Sequence, residues 1–276
     1  MAEPIPRLNR DRLSVLIALI LLTSVLFRFV QLPQVTRRFH LLGSPLEVNL
    51  TGTGLLVVLV GGLAAMGARY ILAAHPDARG RLSRPLYFSC MLPGLLGGTA
   101  AYLVELAPTE VVWAGGLLLS MIVIGLAVAA EFAALSPRHP AATRARLGLN
   151  VLAYLLALLF FYLIYRTRAR SLVTATEVTL VAFFIALDLL GVAETRAARV
   201  VLYAAVIGLL VGEATWALNY WRVDNWTASL LLLLFFYLAT GIAQQYLLDR
   251  LHPAVLLEFG LVTATVLTLV LVFGRK

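Results

Sequence analysis

Apolar stretches of transmembrane length, about nine of them, tile this chain of 276 residues almost end to end. A helix needs about 20 mostly apolar residues to cross a hydrocarbon core of about 30 Å. That criterion picks out residues 13–32, 50–72, 86–107, 111–135, 147–165, 172–192, 199–218, 227–247 and 253–273. Unpaired backbone groups cost several kcal/mol each in lipid, so only helices or closed barrels can span it, and a barrel would alternate instead of showing solid apolar runs. The sequence therefore predicts an all-α fold, a polytopic transmembrane helix bundle. The longest connection is about 17 residues, so residues 1–276 read as a single integral membrane domain with no soluble domain. Any chemistry must then use groups inside the bilayer or on short loops.

Composition agrees: 61% of residues are hydrophobic and 13% charged, against about 45–50% and about 25% in soluble domains. Pro33, Pro76, Pro85, Pro108, Pro137, Pro140 and Pro253 fall at the breaks, where a helix would stop in any case. The net charge of +8 comes from arginines scattered over short loops, with Lys276 the sole lysine. No basic run with interleaved aromatics is present, so the charge points to orientation and to lipid head groups rather than to nucleic acid. With the N-terminus inside, about 13 basic residues fall on the inner side and 8 on the outer, which predicts a cytoplasmic N-terminus. The conflicting loop is Arg166, Arg168 and Arg170. Arg7, Arg10 and Arg12 precede the first span as in a signal peptide, but the apolar run is long and no small-x-small site follows, so it is expected to stay as a span.

An internal echo pairs Glu47-Val48-Asn49-Leu50 with Glu177-Val178-Thr179-Leu180, and Arg69 with Arg199. It is not sustained through the third and fourth spans, and low-complexity apolar sequence produces such matches by chance. Gly94-x-x-x-Gly98 and Gly208-x-x-x-Gly212 place small residues on one helix face, as close helix packing in lipid requires. Pro93 is placed to kink the third span. The single cysteine, Cys90, lies in an apolar span as a packing residue.

Acids within apolar sequence carry the functional signal. A mid-helix charge adds about 2.5–3.5 kcal/mol to insertion, while each large aliphatic residue returns about 0.3–0.6 kcal/mol. Such spans still insert, and their acids prefer the bundle interior. Glu177 and Asp188, eleven residues apart, share a face and lie about 16 Å apart along the axis. Glu213, Trp216 and Tyr220 line one face of the seventh span, and Tyr237, Thr240 and Gln244 repeat that spacing on the eighth. The two faces are expected to meet across a polar seam, with Glu258 nearby. Against this, Trp216, Tyr220, Trp221 and Trp226 also fit an interfacial belt. Glu177 lies close enough to an interface to be hydrated, and Glu131 reads as an edge residue. Arg196 and Arg199 are placed to pair with Glu194 or Asp188.

No zinc-protease, nucleotide-loop or serine-hydrolase motif occurs, and His40, His75, His139 and His252 lie far apart. No catalytic residue, metal or cofactor is expected. In the C-terminal third, Glu213-x-x-Trp216-x-x-Asn219, a leucine-rich span, Leu248-Asp249-Arg250-Leu251 and then Glu258 form a pattern that resembles uncharacterised polytopic membrane proteins of bacteria. The resemblance covers about 50 residues. It implies an inner-membrane location and architecture, and no activity. Two readings follow. One is a protein that binds or transports a small solute, lipid or ion through an acidic pocket. The other is a structural or accessory subunit of a membrane complex, with lipids and membrane proteins as partners. A lipid-modifying enzyme, its phosphate held by Arg79, Arg81 and Arg84, is a weaker third.

Overall fold

Helix starts are set by short polar caps. The side chain of Asn9 accepts the amides of Asp11 and Arg12 at 3.0 and 3.3 Å and opens α1 (Arg10–Phe29). Thr51 opens α2 (Gly52–Leu72), Thr109 opens α4 (Glu110–Leu135) and Asp224 opens α8 (Asn225–Leu247), each by accepting first-turn amides that have no partner within the helix. The helix α9 (Pro253–Phe273) begins on proline, whose missing N–H costs nothing there. Between α8 and α9, Asp249 stands in the left-handed region (φ 52°), a conformation a short polar side chain tolerates.

The computed structural model describes residues 8–30, 35–41, 44–76, 86–136, 140–167, 171–194, 196–221 and 223–273. Among them are nine α-helices, the others being α3 (Met91–Glu105), α5 (Ala142–Thr167), α6 (Ser171–Leu190) and α7 (Ala197–Tyr220). Among the described residues seven are long and apolar enough to cross a membrane, against the nine expected. The third expected span shortens because residues 88–90 form a 3-10 turn, and α3 then runs for 15 residues, about 22 Å. Pro93 sits in the first turn of α3, so it helps to start the helix instead of kinking it. The helix α9 runs for 21 residues, Pro253–Phe273, the length expected for the ninth span.

A second departure from expectation lies between α1 and α2. Strands β1 (Val35–Leu41) and β2 (Ser44–Leu50) pair antiparallel there, from Val35 with Leu50 to Leu41 with Ser44. Two stretches rich in Val, Thr, Phe and Leu suit a ribbon. The apolar-run criterion is blind to it.

The chain divides into two compact units, Met1–Leu82 with Ser89–Arg146, and Ser83–Phe88 with Leu147–Lys276. In the first, α2 and α3 pack with backbones close together. A Cβ added to Gly94 would stand 2.9 Å from the Ala65 Cβ, and one on Gly98 3.3 Å from the Val57 carbonyl. In the second, α6 and α7 do the same, since a Cβ on Gly208 would stand 2.8 Å from the Thr179 carbonyl. Both glycine pairs read from the sequence thus serve close helix packing. Its core holds Phe161 and Phe236, fully buried and edge-to-face at 6.1 Å. The sequence echo has no structural counterpart: Glu47 lies in β2 and Glu177 in α6, while Arg69 is in the last turn of α2 and Arg199 in the first turns of α7.

Large apolar side chains cover the outside, among them Met66 at 76% exposure and Leu257 at 75%. A water-facing surface would not carry them so densely. Within the helices hydroxyls bond their own backbone: Ser24, Thr99, Ser120, Thr215 and Thr240 donate to the carbonyls of Ile20, Leu95, Gly116, Val211 and Phe236 at 2.7–2.9 Å. That pattern satisfies polar groups without water, as hydrocarbon demands.

Candidate functional site

In the second unit, polar groups of α5, α6 and α8 converge. The Tyr154 hydroxyl on α5 lies 3.0 Å from Oγ1 of Thr240 on α8, and Thr240 is fully buried. Because Thr240 donates its own proton to the Phe236 carbonyl at 2.7 Å, Tyr154 is the donor between the two hydroxyls. One turn further along α8, Gln244 Nε2 donates to the Leu189 carbonyl of α6 at 3.0 Å. Asp188 precedes Leu189 and is only 3% exposed. Tyr237, half-buried, sets its ring edge-on to Tyr154 at 5.6 Å and to Phe259 of α9 at 5.7 Å. Phe259 reaches α8 because Gly241 leaves room: a Cβ there would stand 2.7 Å from the phenyl ring.

The spacing of Tyr237, Thr240 and Gln244 does build one polar face on α8, two turns long. Its partner is not the predicted one. The buried face of α7 consists of Val200, Ala204, Ile207, Gly208, Val211, Gly212 and Thr215, and its Gly208 and Gly212 close on Thr179 of α6. Glu213, Trp216 and Tyr220 consequently face outward. Glu177 and Glu258 are exposed as well. Glu177 shares a face with Asp188, but Gln244 docks only at the Asp188 end of that face. Of the eight candidates, Tyr237 and Gln244 share this face of α8 with Thr240 and meet Tyr154 of α5 and the Leu189 carbonyl of α6, while Asp188 is buried one residue from that carbonyl. Tyr154 went unnoticed because a lone tyrosine in an apolar helix resembles a packing residue. Its signal is position: it adjoins the buried stripe Leu149, Ala153, Leu156, Ala157 and Phe161.

The exposed aromatics gather where α7 ends and α8 begins. Tyr220 is 83% exposed, and Trp226 stacks on Tyr162 with ring centroids 4.2 Å apart. Asp224, beside them, is held below the usual carboxylate range, first by the Thr227 hydroxyl and further by the amides of Thr227 and Trp226. At the other end of α7, Arg199 pairs with Glu194 at 3.2 Å, and Glu194 also accepts the Arg196 amide at 3.0 Å. Of the two acids open to these arginines, the pairing with Glu194 is therefore formed.

The first unit buries polar groups of its own. Glu131, expected at an edge, is completely buried. Its helix continues a full turn to Leu135, and its neighbours Val128, Phe132 and Leu135 all face the core. His75, also buried, sets its ring edge-on to Phe132 at 4.6 Å, and Arg146 Nη2 donates to the Ala134 carbonyl at 3.1 Å. Where α4 begins, Arg28 pairs with Glu110 and lies 5.7 Å over the Trp113 ring. A crevice beside it, lined by Ser24, Glu105, Trp113 and Ser120 over an apolar floor, leaves about 10 Å³ for water-sized occupants, room for about one water molecule.

Among the described residues no three His, Cys, Asp or Glu side chains gather as metal ligands. Arg79, Arg81 and Arg84, the phosphate-holding candidates, lie outside the described residues, as do Arg168, Arg170 and Arg222.

Long apolar helices, internally satisfied hydroxyls and an apolar exterior define a multi-helix, membrane-embedded protein. The chain belongs to the family described as Protein of unknown function (DUF5656), which it matches over residues 32–273. No curated protein and no solved structure matches it. Kinship with uncharacterised proteins therefore holds, over much more of the chain than the C-terminal third.

Proposed function

We propose that this protein binds or carries a small cation, a proton included, at the buried seam of its second unit. The carrying observation is Asp188, 3% exposed in a helix of transmembrane length and one residue from the Leu189 carbonyl that receives Gln244. A carboxyl group inside a membrane helix opposes insertion, so such acids mark ion or proton paths more often than packing. The seam that Gln244 joins to the neighbouring Leu189 carbonyl is built of hydroxyl and carbonyl oxygens of α5, α6 and α8, the donor type that hard cations prefer. Reconstituted in liposomes, the wild type should dissipate a proton or sodium gradient faster than empty vesicles, and Asp188→Asn should return the rate to background. Equal flux through both would remove the basis of the reading. Glu213→Gln and Glu258→Gln, at exposed positions, should leave it unchanged.

A second reading, a subunit of a larger membrane assembly, rests on Glu213. This exposed acid lies well inside a helix of transmembrane length, and a polar partner helix would relieve its cost in lipid. Extraction in mild detergent tests it. Stoichiometric partners that are lost with Glu213→Gln support the assembly, whereas a lone protein in both cases contradicts it.

A further inference from the structure

The β1–β2 ribbon has two unlike faces. Its register places Val35, Phe39, Leu41, Leu46, Val48 and Leu50, with Ser44 at the tip, on one face, and Thr36, Arg38, His40, Pro45, Glu47 and Asn49 on the other. Arg37 interrupts the apolar face opposite Val48. A lone two-stranded ribbon is marginal in water and needs a surface for its apolar side. Among the described residues its extensive contacts are between its own strands.

Its attachment identifies that surface. The end of β2 at Leu50 is followed directly by Thr51, the cap of α2, with no linker. The flanking turns of the helices already present exposed apolar residues: Phe29 and Val30 where α1 ends, Leu55 and Val58 where α2 begins. A ribbon fastened there is held at the membrane boundary. It cannot sink into the hydrocarbon, because both strands have an edge of unpaired backbone groups that lipid would leave unsatisfied. Lying flat with the apolar face inward resolves both constraints, since the edges stay among hydrated head groups. Arg37 and Arg38 against Glu47 leave the ribbon cationic, which suits lipid phosphates, and a long arginine stem can lie along apolar surface while its guanidinium reaches them.

We propose that this ribbon is a membrane-interface anchor whose partner is the phospholipid surface beside α1 and α2. The test uses the full chain with Cys90→Ala, in vesicles of phosphatidylcholine and phosphatidylglycerol. Nitroxide labels are placed one at a time at cysteines replacing Thr36, Arg38, Phe39, Leu46, Glu47 and Val48. Labels at Phe39, Leu46 and Val48 should collide several-fold more with lipid-soluble oxygen than with a water-soluble nickel chelate, and the other three should show the reverse. Loss of this alternation would overturn the proposal. So would exclusion of both relaxing agents at Phe39 and Val48, the signature of cover by protein, whether a second copy or another chain. Unchanged helical circular dichroism identifies the variants that have folded, and either strand alone suffices to show the alternation.

Discussion

A carboxylate on a helix cap and a carboxylate inside a bundle face opposite physics, and this chain holds both. Asp224 is a cap: its oxygen accepts the Trp226 and Thr227 amides at 3.0 and 3.1 Å. Asp224→Ala should cost about 1 kcal/mol of stability, seen as a lower melting temperature in detergent. Because hydrogen bonds lower its folded pKa, its contribution is fully present above the unfolded carboxylate value and fades as pH falls through the lowered one. Asp224→Asn should keep most of the cap while losing that acid-side dependence. Asp188 and Glu131 are the buried kind, taken from water at a cost that partners must offset. Their burial was only half legible beforehand. Both lie close to the ends of their helices, where the presence of an acid is legible but its burial is not, because burial depends on neighbours from other helices.

Helix positions were legible to within a few residues because length and apolarity alone decide them, whereas helix faces were not. In a soluble helix the apolar stripe points to the core. Here lipid and core are both apolar, so the α7 sequence alone does not tell which face it turns to α6. Only the small residues Gly208 and Gly212 carried that information. Gly208→Ala should therefore meet the Thr179 carbonyl and destabilise the α6–α7 pair by about 1–3 kcal/mol. Gly148→Ala on α5, with nothing within 4 Å of its added Cβ, should be neutral or stabilise by up to about 1 kcal/mol. Melting of the two variants against wild type checks both, and similar losses would mean that α6 and α7 are not held by close approach. The β ribbon escaped notice because it lies in a connection, where a search for spans does not look.

For the molecule as a whole, composition settled the membrane class and left the site open. Five of the eight candidate residues proved to lie on outward faces, because an acid's presence in a span says nothing about which neighbour covers it. What remains is one seam in the second unit, held by Tyr154 with Thr240 and by Gln244 with the Leu189 carbonyl beside Asp188. Difference infrared spectroscopy of the full-length protein in liposomes, with pH and sodium varied in turn, tests its role most directly. A carboxyl signal should respond to proton or sodium, disappear in Asp188→Asn and persist in Glu213→Gln. A spectrum in which no signal assignable to Asp188 responds to either cation would contradict that role.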